Sequence, residues 1–148
     1  MRKQKLTIFH VICPLLLGGF IYISFRTKSL VLFNWIEDIS LSGVVNVIRN
    51  IFYPLKSIVP NWIVFSLPDG LWTYAFTSSL LIIWNNINNK VLIAFIPLLI
   101  GVILELLQYL KINSGTFDLM DIATYIIAAT LSILIFKLKF QDYENKIS

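Results

Sequence analysis

The sequence predicts an all-α membrane protein: a polytopic membrane helix bundle with about four transmembrane helices, plus an interfacial amphipathic helix. Three observations predict it. Of the 148 residues, 57% are hydrophobic and only 14% are charged, whereas a soluble domain carries about a quarter charged residues. A chain this short leaves much of its surface in water, so one core cannot hide that much apolar surface. The apolar residues also gather in runs of about 20, the length that crosses a hydrocarbon layer. Composition excludes an ordinary soluble domain, a disordered tail and a collagen-like fibre. One cysteine and one histidine exclude a disulfide scaffold, a Cys-rich or His-cluster metal centre and most histidine-centred triads. No cofactor and no resident metal are expected.

The first span covers about residues 6–25, behind Arg2, Lys3 and Lys5. A basic start and an apolar middle also mark a secretory signal. This run is too long for one, no A-x-A-like cleavage site follows it, and Cys13 lacks the small neighbours of a lipoprotein site. A retained helix is therefore expected. Gly18 and Gly19 allow close helix contact, and His10 and Cys13 are expected to pack. Residues 30–60 form an interfacial or re-entrant segment. Val44, Ile48, Ile51, Leu55 and Val59 recur there at helical spacing, with Asn46, Arg49, Asn50 and Lys56 at other positions. That pattern suits a helix lying in the interface; a loop packed on the membrane helices is the alternative. Pro54 and Pro60 bend or end it.

The second span runs over about residues 67–84. Pro68 fits the first turn of a helix, and Asp69 there complements the positive end of the helix dipole, so Ser66 or Leu67 begins it. Trp62, Trp72 and Trp84 are expected as interface aromatics. The third span, about 91–110, contains Pro97 and Gly101. A turn with Asn113, Ser114 and Gly115 leads to the fourth, about 118–136, closed by Lys137 and Lys139. Its small residues Ala128, Ala129 and Ser132 favour close packing. The chain reads as one membrane domain over residues 1–148, without an internal repeat.

Four spans place both termini on one side. With that side cytoplasmic, it holds Arg2, Lys3, Lys5, Lys90, Lys137, Lys139 and Lys146, against Arg26, Lys28, Arg49, Lys56 and Lys111 outside, seven against five. Lys and Arg favour the cytoplasmic side. The expectation is a multi-pass protein of a bacterial inner membrane with cytoplasmic N- and C-termini. The net charge of +4 then reports topology, and no nucleic-acid motif accompanies it.

This orientation gathers the acids of the spans at the outer end. Glu105 lies about 6 Å beyond the middle of its helix, where a carboxylate costs up to about 2–3 kcal/mol on insertion scales. Gln108 is one turn further on the same face. Asp118 and Asp121 open the fourth span, where Asp118 can cap the helix and Asp121 can meet its dipole; Thr116 is a rival cap. Asp69 opens the second. Three helix ends thus bring Glu105, Gln108, Asp121, Asp69 and Asp118 together as a ligand-binding site. Such a group can grip an amine, bind a hard cation or relay protons. Glu105 and Gln108 can instead only fasten helices together.

Glu105-x-x-Gln108, followed by Gly115-Thr116-Phe117-Asp118-x-x-Asp121, resembles the C-terminal half of VanZ-like membrane proteins, and Pro68-Asp69 resembles that family's Asp-Lys-x-x-His segment. The resemblance covers about residues 67–136. Gly70 stands where the family has Lys, Thr73 near its His, Gly115 at its loop Arg, Thr124 at its Asn and Ala128 at its Gly. The resemblance implies a divergent member, with four or five membrane helices and retained acids.

The leading expectation is a VanZ-like protein whose acidic polar site near the outer leaflet recognises a lipid-linked or cationic envelope ligand. Its partners would be membrane lipids, an envelope precursor, and a membrane-protein partner or a second copy, with no nucleic acid. One alternative is a metal-assisted lipid-phosphate hydrolase, against which no Arg or Lys stands among the site residues. Another is a structural subunit of a larger membrane complex. Whether the protein is an enzyme stays open.

Overall fold

The structure, a computed structural model, describes residues 2–28 and 31–144. Leu30, where the interfacial segment is expected to start, and Lys146 lie outside them. The described residues are helical and contain no strand. Helix α1 (residues 2–25) runs as Arg2–Thr7, a π-helical stretch Ile8–Ile12, and Cys13–Phe25. Helix α2 is Val31–Asp38. Helix α3 is Ser42–Phe52, continued by the 3-10 turns Tyr53–Ser57. Helices α4 and α5 are Asn61–Phe65 and Leu67–Ile83. Helix α6 (residues 90–109) is Lys90–Ala94 and Ile96–Tyr109, interrupted at Phe95 just before Pro97. Helix α7 is Leu119–Glu144. It runs on past Lys137 because nothing up to Glu144 is a glycine or proline that would stop it.

Three stretches are long and apolar enough to cross a membrane: Gln4–Phe25, Lys90–Tyr109 and Leu119–Leu138. The expected span at 67–84 differs. Helix α5 has 17 residues, about 25 Å of helix, and carries Thr73, Tyr74, Thr77, Ser78 and Ser79. It is the inner helix of the bundle, packed against α1, α4, α6 and α7. An enclosed helix does not have to be apolar all round, because neighbours rather than lipid meet its polar side.

Side-chain contacts give the directions. His10 and Gly18 of α1 meet Tyr74 and Trp72 of α5 in reverse order, so these helices are antiparallel. Gly70 meets Thr124, and Ser78 bonds Ser132 at 2.8 Å, so α5 and α7 run parallel. Gly101 meets Tyr125, and Glu105 meets Asp118, so α6 and α7 are antiparallel. The end of α1, the start of α5, the end of α6 and the start of α7 therefore share one end of the bundle. Leu81, Ile82, Ala94 and Phe136 form the apolar core toward the opposite end. Ala128, Ala129 and Ser132 are all buried and face inward, so they serve this chain's own packing.

Small residues set the closest approaches. A Cβ at Gly18 would lie 2.7 Å from Trp72 Nε1 and 3.2 Å from the Pro68 carbonyl. Trp72 also stacks near Tyr22, with ring centroids 5.6 Å apart. It is thus a half-buried packing residue, not the interface aromatic expected; Trp62 and Trp84 do stay exposed. Gly19, by contrast, faces open space.

Helix α3 and the turns after it do not sort their residues by polarity alone. Val44, Val47, Ile51, Leu55 and Ile58 face outward, while Val45 and Arg49 are buried. Arg49 turns inward because the end of α1 leaves carbonyls without helical donors. One guanidinium nitrogen donates to Ile23 O at 2.7 Å and to Arg26 O at 2.8 Å. Its plane lies over Phe33 and Tyr53. A cation at a helix C-terminus also opposes the negative end of the dipole. Arg49 thereby fastens α3 to α1.

Replacing Gly18 by Val is expected to push α1 off α5 and lower stability by about 1–3 kcal/mol. Gly19→Ala should stay within about 0.5 kcal/mol. Thermal unfolding of the two variants in detergent measures both.

Candidate functional site

The common end of α1, α5, α6 and α7 holds the polar residues of the bundle. Pro68 supplies no N–H, so the helical run through α4 and α5 is interrupted at Ser66. That break leaves Ser66 against the start of α7: Thr124 Oγ1 donates to Ser66 O at 3.3 Å and to Asp121 O at 2.8 Å. The close contact of Gly70 with Thr124, 3.0 Å from a Cβ built there, holds the two helix starts together. Asp69 lies in the first turn of α5, and its carbonyl accepts from Thr73 Oγ1 at 2.9 Å.

Glu105 is 2% exposed. Its Oε2 accepts the Asp118 backbone N–H at 3.0 Å, so it ties the end of α6 to the start of α7 across the loop. Asp118 is the N-cap: its Oδ1 accepts the Met120 N–H at 2.8 Å. The capping role expected for it is the one it fills, and Thr116 is not the cap. Asp121 stands next to Glu105, Asp118 and Ser66, and Asp69 is close enough to interact electrostatically with Asp121 and Glu105. Tyr125 lies within the field of all three buried or half-buried acids. The bundle therefore does bring Asp69, Glu105 and Asp121 into one cluster, with Asp118 at its edge.

Gln108 goes elsewhere. Its amide lies against Gly115, where a built Cβ would fall 2.7 Å from Cδ. Gly115 has φ +136°, a backbone conformation only glycine adopts readily. Gln108 thus supports the loop instead of facing the acids with Glu105.

The sequence reading finds no basic residue at this site, and the structure supplies one. Arg26, at the end of α1, interacts favourably with Asp69 and Asp121. Its guanidinium lies 5.3 Å from the Tyr22 ring centroid and 5.1 Å from that of Phe65. Its Nε is buried without a hydrogen-bond partner. The signal available in the sequence was topological: counting alternate helix ends places Arg26 on the same side as the acids.

A cavity of about 290 Å³ opens beside the cluster, lined by Asn61, Trp62, Phe65, Ser66, Asp118 and Met120. Ser66 is 1% exposed, and its hydroxyl has no hydrogen-bond partner; nor has Asp121 Oδ1. Buried polar atoms almost always have partners, and these two residues lie next to each other. Among the described residues, no three His, Cys, Asp or Glu side chains are arranged to hold a metal ion.

No family model matches the chain, and neither a curated protein nor a solved structure matches it.

Asp118→Ala should cost about 1 kcal/mol of stability through loss of the cap, while Asp118→Asn, which keeps the acceptor, should lose less. Thermal unfolding of the two variants separates the cap from the charge.

Proposed function

We propose that the chain is a divergent VanZ-like protein of the bacterial inner membrane, with an acidic site near the outer leaflet that recognises a lipid-linked or cationic envelope ligand. The observation that carries this reading is the convergence of Asp69, Glu105 and Asp121, from three helices, beside an open cavity. Three carboxylates with one nearby arginine leave an excess of negative charge in a poorly solvated place. A ligand cation beside them favours their ionised forms and offsets that excess.

In this reading α5, lengthened by α4, is the fourth crossing element. Residues 61–83 together reach about 35 Å, which supports a crossing where α5 alone is short. Helix α3 and the turns after it lie in the interface with Val44, Val47, Ile51, Leu55 and Ile58 toward hydrocarbon, an arrangement supported by their exposure. Both termini are cytoplasmic, which leaves the acidic end outside.

Decylamine titrated into the purified protein in a neutral detergent tests the site. The unsubstituted chain is expected to bind it, and Glu105→Gln and Asp121→Asn should each weaken binding about tenfold, a loss of about 1.4 kcal/mol, with membrane insertion unchanged. Equal binding by all three proteins contradicts the reading. Unfolding of both variants points instead to acids that only fasten the helices.

A further inference from the structure

The cavity is not uniformly acidic. Asp118 and Ser66 line it, Asp121 and Glu105 lie next to Asp118, and the Ser66 hydroxyl is buried without a hydrogen-bond partner. Cations lie near it as well. Phe65 lines the cavity, and two basic groups sit over its ring: Arg26 at 5.1 Å and Lys56 Nζ at 5.8 Å from the centroid. Lys56 is steadied on Tyr53 as well, at 5.4 Å. Aromatic faces hold cations in place without neutralising them, so the positive charge stays available to a ligand. Arg26 Nε in particular lacks a hydrogen-bond partner, and a guanidinium is well shaped for phosphate. Trp62, Phe65 and Met120 add apolar surface to the lining.

From this juxtaposition we infer that the ligand is zwitterionic: the headgroup of an aminophospholipid, with its primary ammonium toward Asp118 and Asp121 and its phosphodiester toward Arg26 and Lys56. The inference rests on the acidic-site reading above and narrows it to one ligand class. Ser66 Oγ lies next to Asp121, where it can accept from the ammonium. A volume of about 290 Å³ is at the lower edge of small-molecule pockets, about 300–1,000 Å³. It holds a headgroup, and the acyl chains stay outside against Trp62 and the exposed apolar helix faces. The choice of a lipid over a free zwitterion follows from those apolar walls.

Binding to the full chain in neutral detergent tests this with four probes. Dioctanoyl phosphatidylethanolamine is expected to bind about tenfold more tightly than decylamine, which has the amine alone. It should exceed dioctanoyl phosphatidylglycerol, which has the phosphodiester without the amine, by a similar margin. Arg26→Gln and, separately, Lys56→Gln should lower phosphatidylethanolamine affinity toward that of decylamine without weakening decylamine itself. Lys56 is only half-buried, so the test survives if Arg26→Gln fails to fold. Equal binding of phosphatidylethanolamine and decylamine, or full phosphatidylethanolamine affinity in both basic-residue variants, overturns the zwitterion and leaves the acidic site standing. Unchanged binding of every probe by Glu105→Gln and Asp121→Asn overturns the acidic site itself. Free glycerophosphoethanolamine binding as tightly as the lipid overturns the assignment to a lipid.

Discussion

The polar side of α5 has to be enclosed by protein, and the rest of the bundle follows from that constraint. Thr73, Tyr74, Thr77 and Ser78 lie in one helix, and hydrocarbon offers none of them a partner. Thr73 bonds back to Asp69 O, Tyr74 meets His10, and Ser78 meets Ser132. Thr77 is enclosed too, though its hydroxyl has no partner. Interhelical bonds of this kind average only about 0.6 kcal/mol. They therefore set register more than they add stability, and close packing at Gly18, Gly70 and Gly101 carries the association.

The same enclosure makes the site. A helix that starts inside protein can begin with a broken turn, and Ser66 and Pro68 provide one. That break places a hydroxyl and Asp69 beside the first turn of α7, where Asp118 and Asp121 already serve the helix terminus. Glu105 then closes the group from α6 by accepting the Asp118 N–H. Each acid has a structural partner or a structural position, and together they still exceed the one arginine near them. The surplus is a property of the fold, not of any single residue.

The helix positions were legible because apolar periodicity and Pro68 are local signals. The start of α5 at Leu67 and the cap at Asp118 follow from residue chemistry alone. The meeting of Asp69, Glu105 and Asp121 was legible from alternating helix direction. What stayed hidden depends on contacts between segments distant in the chain. Arg49 and Lys56 read as polar positions of an amphipathic helix, yet one satisfies the carbonyls of α1 and the other stacks on Phe65. Arg26 reads as a charge ending a span, because topology rules count cations without asking what they face. Gln108 shares a helix face with Glu105, but the turn at Gly115 takes its amide away. Trp72 looks like an interface anchor until Gly18 opens a slot for it.

The parallel pairing of α5 and α7 has a consequence for biogenesis. Because α5 and α7 point the same way, α6 has to run back between them in the chain. When α5 leaves the ribosome, the helix that will cover Gly70 and Ser78 has not been made. The chain through α5 is therefore an unfinished assembly, held by α1 and α4 without the helix that pairs with α5 most closely. Only α7 closes the bundle, and by closing it completes the cavity as well, so the packing of α5 and the meeting of the acids are achieved in the same step.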